Sequence, residues 1–318
     1  MEIADLARWT PIRFDFSGPA PTVDWADLSA ERFVEPFFDQ TVARWASGPR
    51  ARPLVRTGID VLVALDDESS LEPAGMIFHL SRCGSTLVSR LLGTLPGVVV
   101  LAEPAPLNAL LGLEPERVDD ATLARLVRLL VRALGRCRHG DERQLVLKCT
   151  SWNIRRRAVL AAAFPETPWI WVQRDPARVL ASLLANPPGW LGRQAAPRAA
   201  QLFGLDPAAA LAEAGVEFTA RALGAMLESA ATDPRRRICI DHAELPDAVW
   251  RRAAPHFGLQ VDAAAIERMT EQSRFYSKDP APQPFSDAGS ENRTVTEAMR
   301  EAAERFAEPG YRALALHG

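Results

Sequence analysis

A net charge of −3 over 318 residues leaves no general surface for nucleic acid or an anionic membrane, so any basic site must be local. At 47% hydrophobic residues the chain suffices for one large α/β domain, with or without a smaller appendage. No apolar run approaches the roughly 18 residues of a membrane span, no charged-then-apolar leader is seen, and the four cysteines (Cys83, Cys137, Cys149, Cys239) show neither a C-x-x-C pair nor metal-ligand spacing. The expected setting is a reduced cytoplasm, without metal.

Residues 1–70 differ from the rest. They mix proline and tryptophan (RWTPIRFDF, PTVDWADL), carry a helical pattern around AERFVEPFFDQTVARW, and continue with GIDVLVAL as an expected strand and DDESS as a turn. We read them as a small N-terminal cap or edge segment, and residues 71–318 as the main domain. From Gly75 on, strand and helix alternate. Met76–Leu80 is a short apolar strand followed by an apolar-periodic helix to Leu95, VVVL (98–101) is a second strand, and Asp119–Gly135 is an amphipathic helix. QLVLKCT (144–150), PWIWVQR (168–174) and RICIDH (237–242) are the third to fifth strands, with a helix over 176–186. Continuous apolar strands separated by helices predict an α/β fold: a parallel sheet of about five strands with helices on both faces. Ligands in such sheets bind at the carboxyl ends of the strands.

Four of the five strands end in distinctive chemistry. The first runs into Arg82-Cys83-Gly84-Ser85-Thr86, the second into Glu103-Pro104, the third into Lys148 and the fourth into Arg174-Asp175-Pro176. The first of these has the order of a phosphate-cradling loop: apolar strand, glycine turn, helix start. Gly84 lets the backbone approach a ligand, the amides from Gly84 to Leu87 face an anion, Ser85 and Thr86 add hydroxyls, and Arg82 adds a forked cation. The plain alternative is a helix capped by Ser81 or Ser85 with Arg82 on the surface. The triphosphate fingerprint G-x-x-x-x-G-K-[ST] fails in two places: with Gly84 as its second glycine, His79 stands at the first and Ser85 at the lysine.

WVQRDPARVLASLLA adds a second signal, since Arg174 ends the fourth strand and Ser182 follows eight positions on, two turns into the next helix. Together with R-x-G-S-T at Arg82 to Thr86, this resembles sulfotransferases that use 3′-phosphoadenosine-5′-phosphosulfate (PAPS). In them a matching arginine and serine grip the 3′-phosphate, and a loop of this form, with lysine in place of arginine in cytosolic members, holds the phosphosulfate. RICIDHAELPDA is similar to the family's late strand and turn, so the resemblance covers about Gly75 to Leu245. It implies a P-loop-type sheet and a donor site made of Arg82, Cys83, Gly84, Ser85, Thr86, Leu87, Arg174 and Ser182. It also implies 3′,5′-adenosine bisphosphate as the spent product, with no metal. Such a donor needs neither the loop lysine nor the Mg²⁺ of kinase-type sites.

The resemblance also frames the catalytic residues. Cytosolic relatives place a histidine base in a K-T-H strand end, whereas LKCTSW keeps Lys148 and puts Thr150 at the histidine position, where no base exists at neutral pH. Glu103 replaces it, as in relatives acting on sugars and protein tyrosine, and flanking apolar residues are expected to raise its pKa. Its structural alternative is to stabilise the next helix as an N-terminal carboxylate. Arg82 and Lys148 would stabilise the sulfuryl group. His79 is the other candidate base, though within an apolar strand it reads first as a satisfied core histidine, and His242 is a strand-end histidine without a motif. NPPGWLGRQAAPRAAQLFG (186–204) is too rich in proline and glycine for a regular element and is read as a lid or acceptor wall through Trp190 and Arg193. The family's late basic loop, R-K-G-x-x-G, is absent, leaving Arg274 and Lys278 as its substitutes. Two other classes stay open: a P-loop kinase or nucleotide-binding protein using ATP and Mg²⁺, and a non-catalytic binding module on the same fold. The acceptor is a small molecule, a sugar or a peptide, not nucleic acid, and oligomeric state is unreadable.

Overall fold

A computed structural model describes residues 3–66, 70–191, 196–208, 215–275, 278 and 294–315. Its centre is a five-stranded, wholly parallel sheet of β4 (Pro73–His79), β5 (Val98–Ala102), β6 (Gln144–Lys148), β7 (Trp169–Gln173) and β8 (Arg237–Asp241), in the order β5-β6-β4-β7-β8. The sequence reading placed all five, with ends differing by a few residues. Because β4 is central and β5 skips to the edge, strand order reverses at β4, which puts the crevice at its carboxyl end.

Alternation along each strand divides the side chains between two cores. Met76, Phe78, Leu145, Leu147, Trp169 and Trp171 face one side, against Asp120–Leu134, Arg157–Ala163, Pro176–Ala185 and Val216–Ala231. Ile77, Val146, Ile170, Val172 and Ile240 face the other, against Ser85–Leu92 and Ala263–Ser273. Each such side chain, fully buried, contributes about 1.5–3 kcal/mol. The helices begin where their caps require: Asp119 accepts the Thr122 amide and Asp175 the Arg178 amide, with Pro176 in the first turn.

The N-terminal segment departs from its reading. It holds a three-stranded antiparallel sheet, β1 (Thr10–Asp15), β2 (Thr22–Ala26) and β3 (Val55–Gly58), none of which was foreseen. A register shift between Pro11 and Arg13 breaks the alternation that would have signalled β1. GIDVLVAL is not a strand: β3 ends at Gly58, and Val61–Ala64 forms one helical turn with Val61 and Leu62 buried and Val63 exposed. The expected helix is helix α1 (Phe38–Ala46), which starts only past Pro36 because proline lacks the amide that an earlier start would use. Leu6, Phe14, Val23, Trp25 and Phe38 share the larger core with the main sheet. The 186–204 stretch also contains regular structure, a 3-10 turn at Gly189–Leu191 and a helix at Ala196–Phe203. DDESS falls mostly outside the described residues.

Candidate active site

β4 delivers the loop. Ser81, Arg82 and Gly84 have φ of 72°, 49° and 89°, three left-handed residues within four positions, which turns the chain from strand into helix Ser85–Leu92. Only glycine fits at 84, since a Cβ there would lie 2.6 Å from Leu245 Cδ1 and 3.0 Å from His242 Nδ1. The first helical bond runs from the Val88 amide to Gly84 O (3.1 Å), so the amides of Ser85, Thr86 and Leu87 precede the helical ladder. Ser85 and Thr86 are buried. Cys83 is in the loop through its backbone only: its buried Sγ donates to Val172 O (3.1 Å), and burial pushes the thiol up to about 11.

β5 and β6 bring Glu103 and Lys148 together. The Glu103 amide donates to Lys148 O (2.8 Å), extending the ladder, and Glu103 itself has φ 54°. Lys148 is wholly buried. Its ammonium is ion-paired with Glu103 Oε1, donates to Thr86 Oγ1 (3.4 Å) and lies 4.9 Å from the centre of the Phe37 ring. Burial alone would raise the Glu103 carboxyl, but the Lys148 ammonium, with help from His79, outweighs it and holds the group well below the usual carboxylate range. The expected upward shift is thereby corrected: apolar flanks matter less than a contacting cation.

His79 is a core histidine, as read. Its Nδ1 accepts the Ser81 amide (3.0 Å) and its Nε2 donates to Cys149 O (3.0 Å), 3.6 Å from Glu103 Oε1. Burial lowers its pKa and keeps it neutral. Thr150, in place of a histidine, starts the 3-10 helix Ser151–Arg156, its amide donating to Asn153 Oδ1 (2.7 Å).

Two further cations, Arg82 and Lys278, join Lys148 around the loop. Arg82 donates to Asn186 O (2.7 Å) at the end of helix Pro176–Ala185. Lys278 is pushed down to about 8 by burial and by repulsion from Arg82 and Lys148, so its ammonium stands near both. Arg274 does not join it, being exposed and paired with Glu271 (2.6 Å). Arg174 is half-buried just after β7 and makes no hydrogen bond or ion pair among the described residues. Ser182 lies half-buried two turns along the following helix. Trp190 packs on Phe203 (5.3 Å between centres), and Arg193 lies outside the described residues.

Three contributors had been given no role. His242 Nδ1 donates to Cys83 O (3.3 Å), tying the β8 end to the loop. Phe37 and Asp39 come from the N-terminal segment: Phe37 covers Lys148, while Asp39 accepts the Ala105 amide and stands close enough to Glu103 to repel it. Their only signal was the aromatic-acid run PFFDQ, which reads equally well as helix core. Among the described residues no cluster of His, Cys, Asp and Glu could hold a metal ion, and no helix is long and apolar enough to cross a membrane.

No protein-family model matches the chain, and no curated protein does. The chain is similar to sulfotransferases of known structure. With sulfotransferase STF9 from Mycobacterium avium it shares 15% identity over 78% of each chain, at a TM-score of 0.44. STF1 from Mycobacterium tuberculosis H37Rv gives 15% identity over 76% of this chain and 78% of that one, at 0.41. A sulfotransferase from Alicyclobacillus acidocaldarius gives 16% identity over 77% and 96%, at 0.40. These likenesses are loose and say nothing of the donor or acceptor.

Proposed function

We propose that the protein transfers a sulfuryl group from PAPS to a hydroxyl or amine of an acceptor. The observation that carries this reading is the loop at the end of β4, with Arg82, Lys148 and Lys278 around it and buried Ser85 and Thr86 at its helix start. These residues fit a phosphosulfate: the cations match its charge, the leading amides are free of the helical ladder, and the cradle is one that a Cβ at Gly84 would fill. PAPS supplies the activated sulfuryl group, bonded to a phosphate oxygen that leaves as part of 3′,5′-adenosine bisphosphate.

The chain's own residues do the rest. Arg174 and Ser182 are assigned to the 3′-phosphate, the loop amides and hydroxyls to the 5′-phosphosulfate, and Arg82, Lys148 and Lys278 to the charge that develops during transfer. Glu103 is assigned as base, taking the acceptor proton on its carboxylate. Held by Lys148 it is a weak base, so anionic oxygens in the loop, competing for the same ammonium, raise its basicity as the reaction is set up. Phe37 packs over the Lys148 ammonium.

Calorimetric titration with 3′,5′-adenosine bisphosphate in EDTA tests the donor site. Micromolar binding, lost in Arg174→Ala, is expected. Binding of ATP with Mg²⁺ in its place would move the protein to the kinase class, against which Ser85 at the loop-lysine position already counts.

A further inference from the structure

The helices that follow Glu103 and Lys148 in the chain help frame a cleft of about 810 Å³, within the range of small-molecule sites. Its walls continue the two strands that carry the pair. Ala105, Asn108 and Ala109 come from the helix Ala105–Leu111, which begins two residues past Glu103. Trp152 comes from the 3-10 helix Ser151–Arg156, which begins three residues past Lys148. Trp190 and Leu202 complete the apolar part of the lining. Ala105, two residues past Glu103 and at the start of its helix, is the part of the lining nearest in the chain to the ion pair.

The chemistry of the lining narrows the occupant. Two indoles line the space, one buried (Trp152) and one braced against Phe203 (Trp190), and Leu111, Leu113 and Leu202 are part of the same lining. The two arginines in the wall are already engaged. Arg155 donates to Ser229 Oγ (2.9 Å) and Leu202 O (3.3 Å), and Arg156 to Leu113 O (2.7 Å) with Asp120 at 3.8 Å. The charges at the rim are Glu114 and Glu116, both exposed. Flat aromatic walls favour ring stacking, and rim carboxylates disfavour an anionic body. We infer that this cleft is the acceptor pocket and that it takes an uncharged ring alcohol, aromatic or alicyclic, rather than an acidic peptide or a polyanionic sugar, with Trp152 and Trp190 as the residues that set this preference. The inference rests on the sulfuryl-transfer reading for its reaction, though not for its ligand.

The test is equilibrium binding of 2-naphthol, followed by tryptophan fluorescence and calorimetry. A tyrosine-containing acidic peptide and a heparin disaccharide serve as comparators, and 3′,5′-adenosine bisphosphate is titrated in parallel. The expected result is saturable naphthol binding that weakens about tenfold in Trp190→Ala, on the scale of one aromatic contact. Because Trp152 is buried and its removal risks the fold, Ala109→Trp, which fills the cleft from its half-exposed side, is the second variant, and it too should block naphthol. Both variants should retain bisphosphate binding. Absent naphthol binding, indifference to both variants, or tighter binding of either anionic comparator overturns the assignment. A failure of the bisphosphate titration alone overturns the sulfuryl-transfer reading and leaves the pocket result standing.

Discussion

Glu103→Gln separates two roles that one carboxylate holds at once. In the free protein it is the counter-charge of a lysine with no exposed surface. For a generic ion-pair separation of about 3 Å and an effective dielectric constant of about 20, the attraction is roughly 5 kcal/mol, part of which offsets the cost of taking both charges out of water. Removing one partner of a buried pair costs about 3–5 kcal/mol. The Glu103 side chain keeps 23% of its exposure, so the loss belongs at the lower end, about 3 kcal/mol. Urea unfolding at pH 7 measures it. Lys148→Met should cost about as much, and the double variant much less than the sum of the two, because the second change removes the stranded charge. Since the folded carboxyl is held below its unfolded value of about 4.3, the contribution is fully present above that pH and disappears as pH falls through the folded value. The gap between wild type and Glu103→Gln should therefore close in acid. Additive single costs, or a gap that persists there, would refute the pairing. For the reaction, Glu103→Gln should abolish turnover while bisphosphate binding changes little, and equal loss of both would sink the base assignment.

Lys278 carries its charge below a pKa of about 8 in the free protein, so affinity for the bisphosphate should be highest below that pH and fall as pH rises through it. Lys278→Gln should flatten that step in a titration series, and an unchanged profile would remove Lys278 from the site. Gly84→Ala places a methyl 2.6 Å from Leu245 in a left-handed residue. It should lower stability by about 1–3 kcal/mol in urea unfolding and abolish bisphosphate binding, because the loop must move to accept it.

The five sheet strands were legible because each is a short apolar run whose ends are marked by turn or cap residues, and because a strand buried on both faces has no competing helical reading at that length. Strand order was not, since the placing of β6 between β5 and β4 is a long-range matter that no local pattern encodes. The polar residues at the strand ends were visible for the same reason as the strands, but not their mutual contacts. That Lys148 closes on Glu103, and so lowers rather than raises its pKa, follows from β5 and β6 being neighbours. The N-terminal segment misled most. GIDVLVAL has the composition of a strand, but a Cβ at Gly58 would run into Asp60 Oδ1 at 2.3 Å, marking a chain that has already turned. Phe37 reaches Lys148 only because α1 crosses from a different part of the fold.

The Glu103–Lys148 contact also makes the resting site a self-occupied one. Any anion that enters must displace a carboxylate that the chain keeps permanently beside its ammonium, at an effective concentration in the millimolar range or above. Inorganic sulfate, chloride or a lone phosphate has little to offer in that exchange. A ligand that also grips the loop amides and a second anchor some distance away can win it. The internal ion pair thus works as a threshold, admitting multiply anchored anions and turning away the simple ones that crowd any cell.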